Sequence, residues 1–156
     1  MTAAYPVLRP VPGRERAARV FPGTPNSVMR ARAFVAGELA GCPARDTLVM
    51  CVSELSTNAI SHTRSGDGGV FTVEVTRPRP GVACVVVTDA GGADEPCVPS
   101  TGFHDDLAEG GRGLALVAAL TSRWGYCPAG PVPGPAGARS VWAEASWPVG
   151  VPSSHR

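Results

Sequence analysis

The sequence predicts a single α/β domain. Three observations carry that expectation. Leu48, Val52, Leu55 and Ala59 recur at helical spacing. Two runs, Val70-Phe71-Thr72-Val73-Glu74-Val75 and Val82 to Thr88, read as strands joined by a short turn. A further, mostly apolar helical run, Gly113 to Leu120, opens directly from the glycines of Gly110-Gly111-Arg112-Gly113.

Residues 1–16, rich in Pro, Ala and Arg, read as an N-terminal tail, and residues 148–156 as a C-terminal one. Between them, residues 17–147 form one domain, as expected for a chain of 156 residues. Ala18 to Pro22 is an edge strand ended by Pro22. Thr24 or Asn26 caps a first helix that runs to about Ala40, with Pro25 in its first turn and Gly41 as its stop. The second helix spans residues 44–62 and ends before the Gly-rich turn at residues 65–69. On it, Glu54, Asn58 and His62 share a face beside the apolar stripe, the arrangement of a helix that lines a cleft. The two strands that follow form an antiparallel hairpin, and the second, more apolar one carries Asp89 at its exit. Residues 93–109 show no period and read as a lid. After the glycine-led helix, residues 123–126 and 140–145 form a last pair of strands across a Pro/Gly-rich loop.

Composition excludes several classes of function. The formal charge is +1 and all 14 basic residues are Arg, with no clustered basic footprint for nucleic acid. Any cationic contact to a phosphate therefore comes from Arg. No apolar run approaches the roughly 18–20 residues needed to span a bilayer, and the N-terminus lacks a basic-then-apolar signal. The five cysteines include no CxxC pair, which argues against a zinc site or a disulfide framework and for a reducing cytoplasm.

Three segments bear chemistry. Glu54 and Asn58 stand one helical turn apart. A carboxylate serves as a general base, and an amide oxygen suits a Mg²⁺ that also holds phosphates. Asp89, at a strand end followed by Gly91 and Gly92, either accepts a hydrogen bond from an exocyclic amine such as that of adenine or belongs to an ordinary strand-exit turn. Gly111 and Gly113 place free backbone N–H groups at a helix start, where an anion is favoured. Arg112 either adds a charge-assisted contact there or points into solvent.

Taken in order, these segments resemble the GHKL ATPase superfamily. The motifs Glu54-Leu-Ser-Thr-Asn58-Ala-Ile-Ser-His62-Thr63 and Gly111-Arg-Gly-Leu-Ala-Leu-Val are similar to the small stand-alone bacterial ATP-binding proteins, which include the anti-sigma factor serine/threonine kinases. The resemblance spans about Ala18 to Trp147. It implies the Bergerat fold, a two-layer α/β sandwich of a mixed, mainly antiparallel sheet with helices on one face. It implies ATP and Mg²⁺ as cofactors, with Asn58 as the metal-binding asparagine and Glu54 as the general base. Asp89 matches the residue that reads the adenine amine, Gly91 the glycine that follows it, and Gly111 and Gly113 the phosphate-side glycines. Ser140 matches a hydroxyl that holds adenine through water. Two departures stand out: Ala93 occupies the position of the second glycine of Asp-x-Gly-x-Gly, and the lid lacks Lys.

The function so implied is a Mg-ATP-dependent serine/threonine protein kinase acting on an anti-sigma factor antagonist, with a sigma factor as a further partner and a homodimer as an allowed assembly. The alternative is a catalytically weak ATP-binding module that regulates a partner through nucleotide-dependent binding. A sensor histidine kinase fragment ranks below both, because no helical segment with a phospho-accepting histidine precedes the domain. His62 is either a helix-terminal packing residue or a ligand.

Overall fold

The computed structural model describes residues 15–92, 110–127 and 137–150. In chain order the elements are β1 (Arg16–Pro22), α1 (Pro25–Glu38), α2 (Arg45–His62), a short 3₁₀ turn (Arg64–Gly66), β2 (Val70–Arg79), β3 (Val82–Asp89), α3 (Gly110–Leu120), β4 (Arg123–Cys127) and β5 (Arg139–Ser146). The expected lid, residues 93–109, lies outside the described residues, as do residues 1–14 and 151–156 of the two expected tails.

The strands form one sheet in the order β1-β2-β3-β5-β4. All its pairings are antiparallel, so over the described strands the expected mixed sheet contains no parallel pair. β1 lies at an edge, as its closing proline requires.

Strand alternation divides the sheet into two faces. Phe21, Phe71, Val73, Val75, Ala83, Val85, Val87, Val141, Ala143 and Ala145 share one core with helix residues. α1 contributes Ala31, Phe34 and Val35, α2 contributes Leu48, Cys51, Val52, Leu55 and Ala59, and α3 contributes Leu114 and Val117. All three helices therefore pack on one side. The rings of Phe21 and Phe71 stack 5.6 Å apart, and Phe34 lies 6.1 Å from Phe21, which fixes α1 over the β1 edge.

The opposite face carries the intervening positions. Cys84, Val86 and Trp142 form a small separate cluster there. Two buried carboxylates flank it, Glu74 paired with Arg16 at 2.8 Å and Glu144 with Arg123 at 3.9 Å. A buried carboxylate without a cation is costly, and these arginines meet that need.

Several boundaries differ from expectation, with β1 beginning at Arg16 and β2 running on to Arg79. α3 begins at Gly110, three residues before the apolar run that announces it, so the glycines are its first turn. β3 extends through Asp89, which is the last strand residue.

Candidate functional site

α2 runs past every part of the site. At its middle, Glu54 is half-buried and faces the first turn of α3. A β-carbon placed on Gly113 would lie 2.7 Å from the Glu54 Oε2 atom. Glycine at this position thus admits the carboxylate to the start of α3. One turn further along the same face, Asn58 is also half-buried. Beyond it, the end of α2 meets the turn that follows β3. The Arg64 backbone N–H donates to the Gly91 carbonyl at 2.9 Å, and the Arg64 side chain donates to the Ala90 carbonyl at 2.7 Å.

That turn is tightly determined. Gly91 has a φ of +77°, a conformation that favours glycine. Its N–H donates to Asp89 Oδ1 at 2.6 Å. A β-carbon on Gly91 would lie 2.0 Å from the Gly137 carbonyl oxygen, so backbone closes over the turn from the β5 side as well. Ser65 ties the turn to β2. Its hydroxyl donates to the Val70 carbonyl at 2.8 Å and accepts from the Ala90 N–H at 2.9 Å. Ser65 and Arg64 were not singled out from sequence. Their only signal is a Ser and an Arg placed just after a helix end.

Asp89 is buried at 7% exposure on the helix-facing side of the sheet. Burial pushes its carboxyl above the ordinary value, opposed by the Gly91 N–H and the Arg139 guanidinium. Because Oδ1 serves Gly91, Oδ2 is the oxygen left to receive an external donor.

The β3–β5 register corrects one expectation. Asp89 pairs with Arg139, whereas Ser140 pairs with Thr88. Neighbouring residues of a strand point to opposite faces. Ser140 is accordingly on the face away from Asp89, where its hydroxyl lies 2.7 Å from that of Thr88. The residue beside Asp89 is Arg139, with Nε 3.8 Å from Asp89 Oδ1. The period-two alternation of β5 was visible in sequence; its one-residue phase against β3 was not.

Beside Glu54, at the middle of α2, Gly110 to Gly113 form the first turn of α3, whose leading N–H groups have no partners inside the helix. Arg112 is exposed there. The His62 side chain is exposed, while its carbonyl packs against Gly92, which fits the helix-terminal reading of this residue. The structure thus brings Glu54 to Gly113 at one end and Asp89 to Gly91 at the other, with Asn58 on the helix between them. It does not bring Ser140 to Asp89.

The arrangement suits an elongated ligand with a hydrogen-bonding base at one end and an anion at the other. Among the described residues, no cluster of three or more His, Cys, Asp or Glu could hold a metal unaided. A Mg²⁺ bound through one amide oxygen and phosphates needs no such cluster, so the half-buried Asn58 fits that cation.

The antiparallel sheet with three helices on one face is consistent with a GHKL ATPase domain. A family model described as "Histidine kinase-like ATPase domain" matches residues 21–131, most of the chain, and the chain belongs to that family. Membership implies ATP binding. No curated protein matches the chain. Among the described residues, no helix is long and apolar enough to cross a membrane.

Proposed function

We propose that this protein is a Mg-ATP-dependent serine/threonine protein kinase of the anti-sigma factor type, acting on a small antagonist protein in the cytoplasm through one domain spanning residues 17–147. A sigma factor is its second partner, bound by the kinase as monomer or homodimer. The observation that carries this reading is the placement of Glu54 against the first turn of α3, with Asn58 one turn further along α2 and the Asp89 turn bonded to the residues that follow that helix.

Asp89 Oδ2 accepts from the exocyclic amine of adenine. The first-turn N–H groups of α3, from Gly111 to Gly113, face the phosphates, and the positive end of the helix dipole offsets their charge. Arg112, exposed at that turn, is available to the same anion. Asn58 would hold Mg²⁺, which would supply neutralisation of the charge that develops on the transferring phosphoryl group. Glu54 orients the incoming Ser or Thr hydroxyl and accepts its proton, as that oxygen bonds to the γ-phosphorus and ADP departs with the bond that breaks. Positioning and electrostatics carry most of such a transfer.

The test is transfer from labelled ATP to candidate antagonist proteins. The expected result is a phosphorylated Ser or Thr on the partner with wild type and none with Glu54→Ala. Transfer that is equal in both removes Glu54 from the chemistry.

A second reading is favoured by the departure at Ala93 and the Lys-free lid, which weaken the case for γ-phosphate contacts. In it the protein holds ATP as a regulatory ligand and controls partner binding. Tight ATP binding without transfer or phosphate release distinguishes it from the kinase.

A further inference from the structure

We infer that Arg139 reads the base together with Asp89, its Nε–H donating to ring N1 of adenine while Asp89 accepts from the neighbouring exocyclic amine. The inference rests on the reading that an adenine nucleotide binds at Asp89.

Register places Arg139 directly opposite Asp89, on the face that the helices cover. Arg139 is 8% exposed, an unusual depth for an arginine. Its Nε stands 3.8 Å from Asp89 Oδ1, close enough for charge attraction but too far for a hydrogen bond. Among the described residues this buried Nε has no hydrogen-bond partner. A buried donor without an acceptor is a standing free-energy cost, which a ligand acceptor removes.

The direction of the side chain points to the same space. The Arg139 Nη2 atom lies 3.4 Å from where a β-carbon of Gly92 would stand, so the guanidinium runs along the turn that frames Asp89. Glycine at that position leaves the cation room to lie flat beside the turn. On the carboxylate, Oδ1 is already engaged by the Gly91 N–H, and Oδ2 remains. The wall therefore offers one free acceptor and one free charged donor side by side. The Watson–Crick edge of adenine offers the complement, an amine donor next to a ring-nitrogen acceptor.

The pairing also gives selectivity. A purine with a carbonyl in place of the amine presents an acceptor to Asp89 and an N–H donor to Arg139. Both contacts then become repulsive in the orientation that suits adenine.

The experiment compares ATP with 1-deaza-ATP, which lacks N1, by calorimetric titration in Mg²⁺ against wild type, Arg139→Ala and Arg139→Gln. Wild type should bind 1-deaza-ATP roughly ten- to hundredfold more weakly than ATP, the range for a hydrogen bond to a charged group. Arg139→Ala should bind the two nucleotides equally. Arg139→Gln, which keeps an N–H donor, should recover part of the preference. Because the wild-type comparison uses no variant, it stands even if Arg139→Ala folds poorly. Wild type that binds both nucleotides equally, or Arg139→Ala that still prefers ATP, overturns the role of Arg139 while leaving the adenine site in place. Wild type with no affinity for ATP removes the site itself and this inference with it.

Discussion

Replacing Gly113 with alanine separates stability from chemistry at the start of α3. Gly113 is inside the helix, where alanine is favoured over glycine by about 1 kcal/mol. The added β-carbon would meet Glu54 Oε2 at 2.7 Å, Glu54 Cβ at 3.5 Å and Glu54 Cδ at 3.6 Å. The last two are ordinary contacts, and only the carboxylate oxygen must retreat, by about 1 Å. Rotation near the end of a flexible side chain provides that at a cost of about 1 kcal/mol. The two terms nearly cancel, so Gly113→Ala should unfold within about 1 kcal/mol of wild type. Its effect on catalysis should be far larger, because a displacement of about 1 Å at a reacting group can lower the rate by about a hundredfold. Thermal unfolding followed by far-UV circular dichroism measures the first quantity, and phosphoryl transfer from labelled ATP measures the second. A variant that is as stable as wild type and transfers at the wild-type rate refutes the assignment of Glu54 to the reacting end of the site. A variant that loses several kcal/mol shows that the Glu54 contact is not the soft one described.

Gly91→Ala should behave in the opposite way. Its positive φ alone costs about 1–2 kcal/mol for a residue with a β-carbon, and the neighbour at 2.0 Å is the Gly137 backbone carbonyl, which cannot rotate aside. Chemical denaturation should show a loss of more than about 2 kcal/mol, together with weaker nucleotide binding. Burial pushes the Cys51 thiol up to about 11 and the Cys84 thiol to about 12. Both should resist alkylation at pH 8 in the folded protein, while half-exposed Cys42 and Cys127 are labelled, as read by mass spectrometry. For Cys51 the folded value lies above the ordinary 9.0, so the stability it contributes is complete below pH 9 and is lost as pH rises through about 11. The stability gap between wild type and Cys51→Ala should therefore shrink across that window. Asp89 accepts an amine proton best when ionised, and burial raises its carboxyl above the ordinary 3.8. ATP affinity should accordingly fall on acidification before the pH reaches the ordinary carboxylate value.

Most of the fold was legible because each element repeats its own signal. The 4-3-4 spacing of Leu48, Val52, Leu55 and Ala59 reports a helix face whatever lies around it, and all four are buried. Asp89 was legible because a carboxylate at the end of an apolar run is conspicuous. What could not be read depends on how distant segments meet. Arg139 and Ser140 are adjacent in sequence, and only the β3–β5 register decides which of them faces Asp89. The same holds for Ser65, whose hydroxyl bridges β2 to the Asp89 turn, since nothing local to Ser65 specifies Val70 and Ala90 as its partners. Glycine is a poor helix former, so the sequence marks the start of α3 three residues late, whereas Gly110, Gly111 and Arg112 belong to its first turn.

The most direct test is a calorimetric titration of Mg-ATP against wild type and Asp89→Ala, with folding of both verified by circular dichroism. Saturable binding to wild type, reduced a hundredfold or more by the substitution, is the expected result. Equal affinity in the two proteins, or no heat from wild type at millimolar ATP, would contradict a purine site at the end of β3.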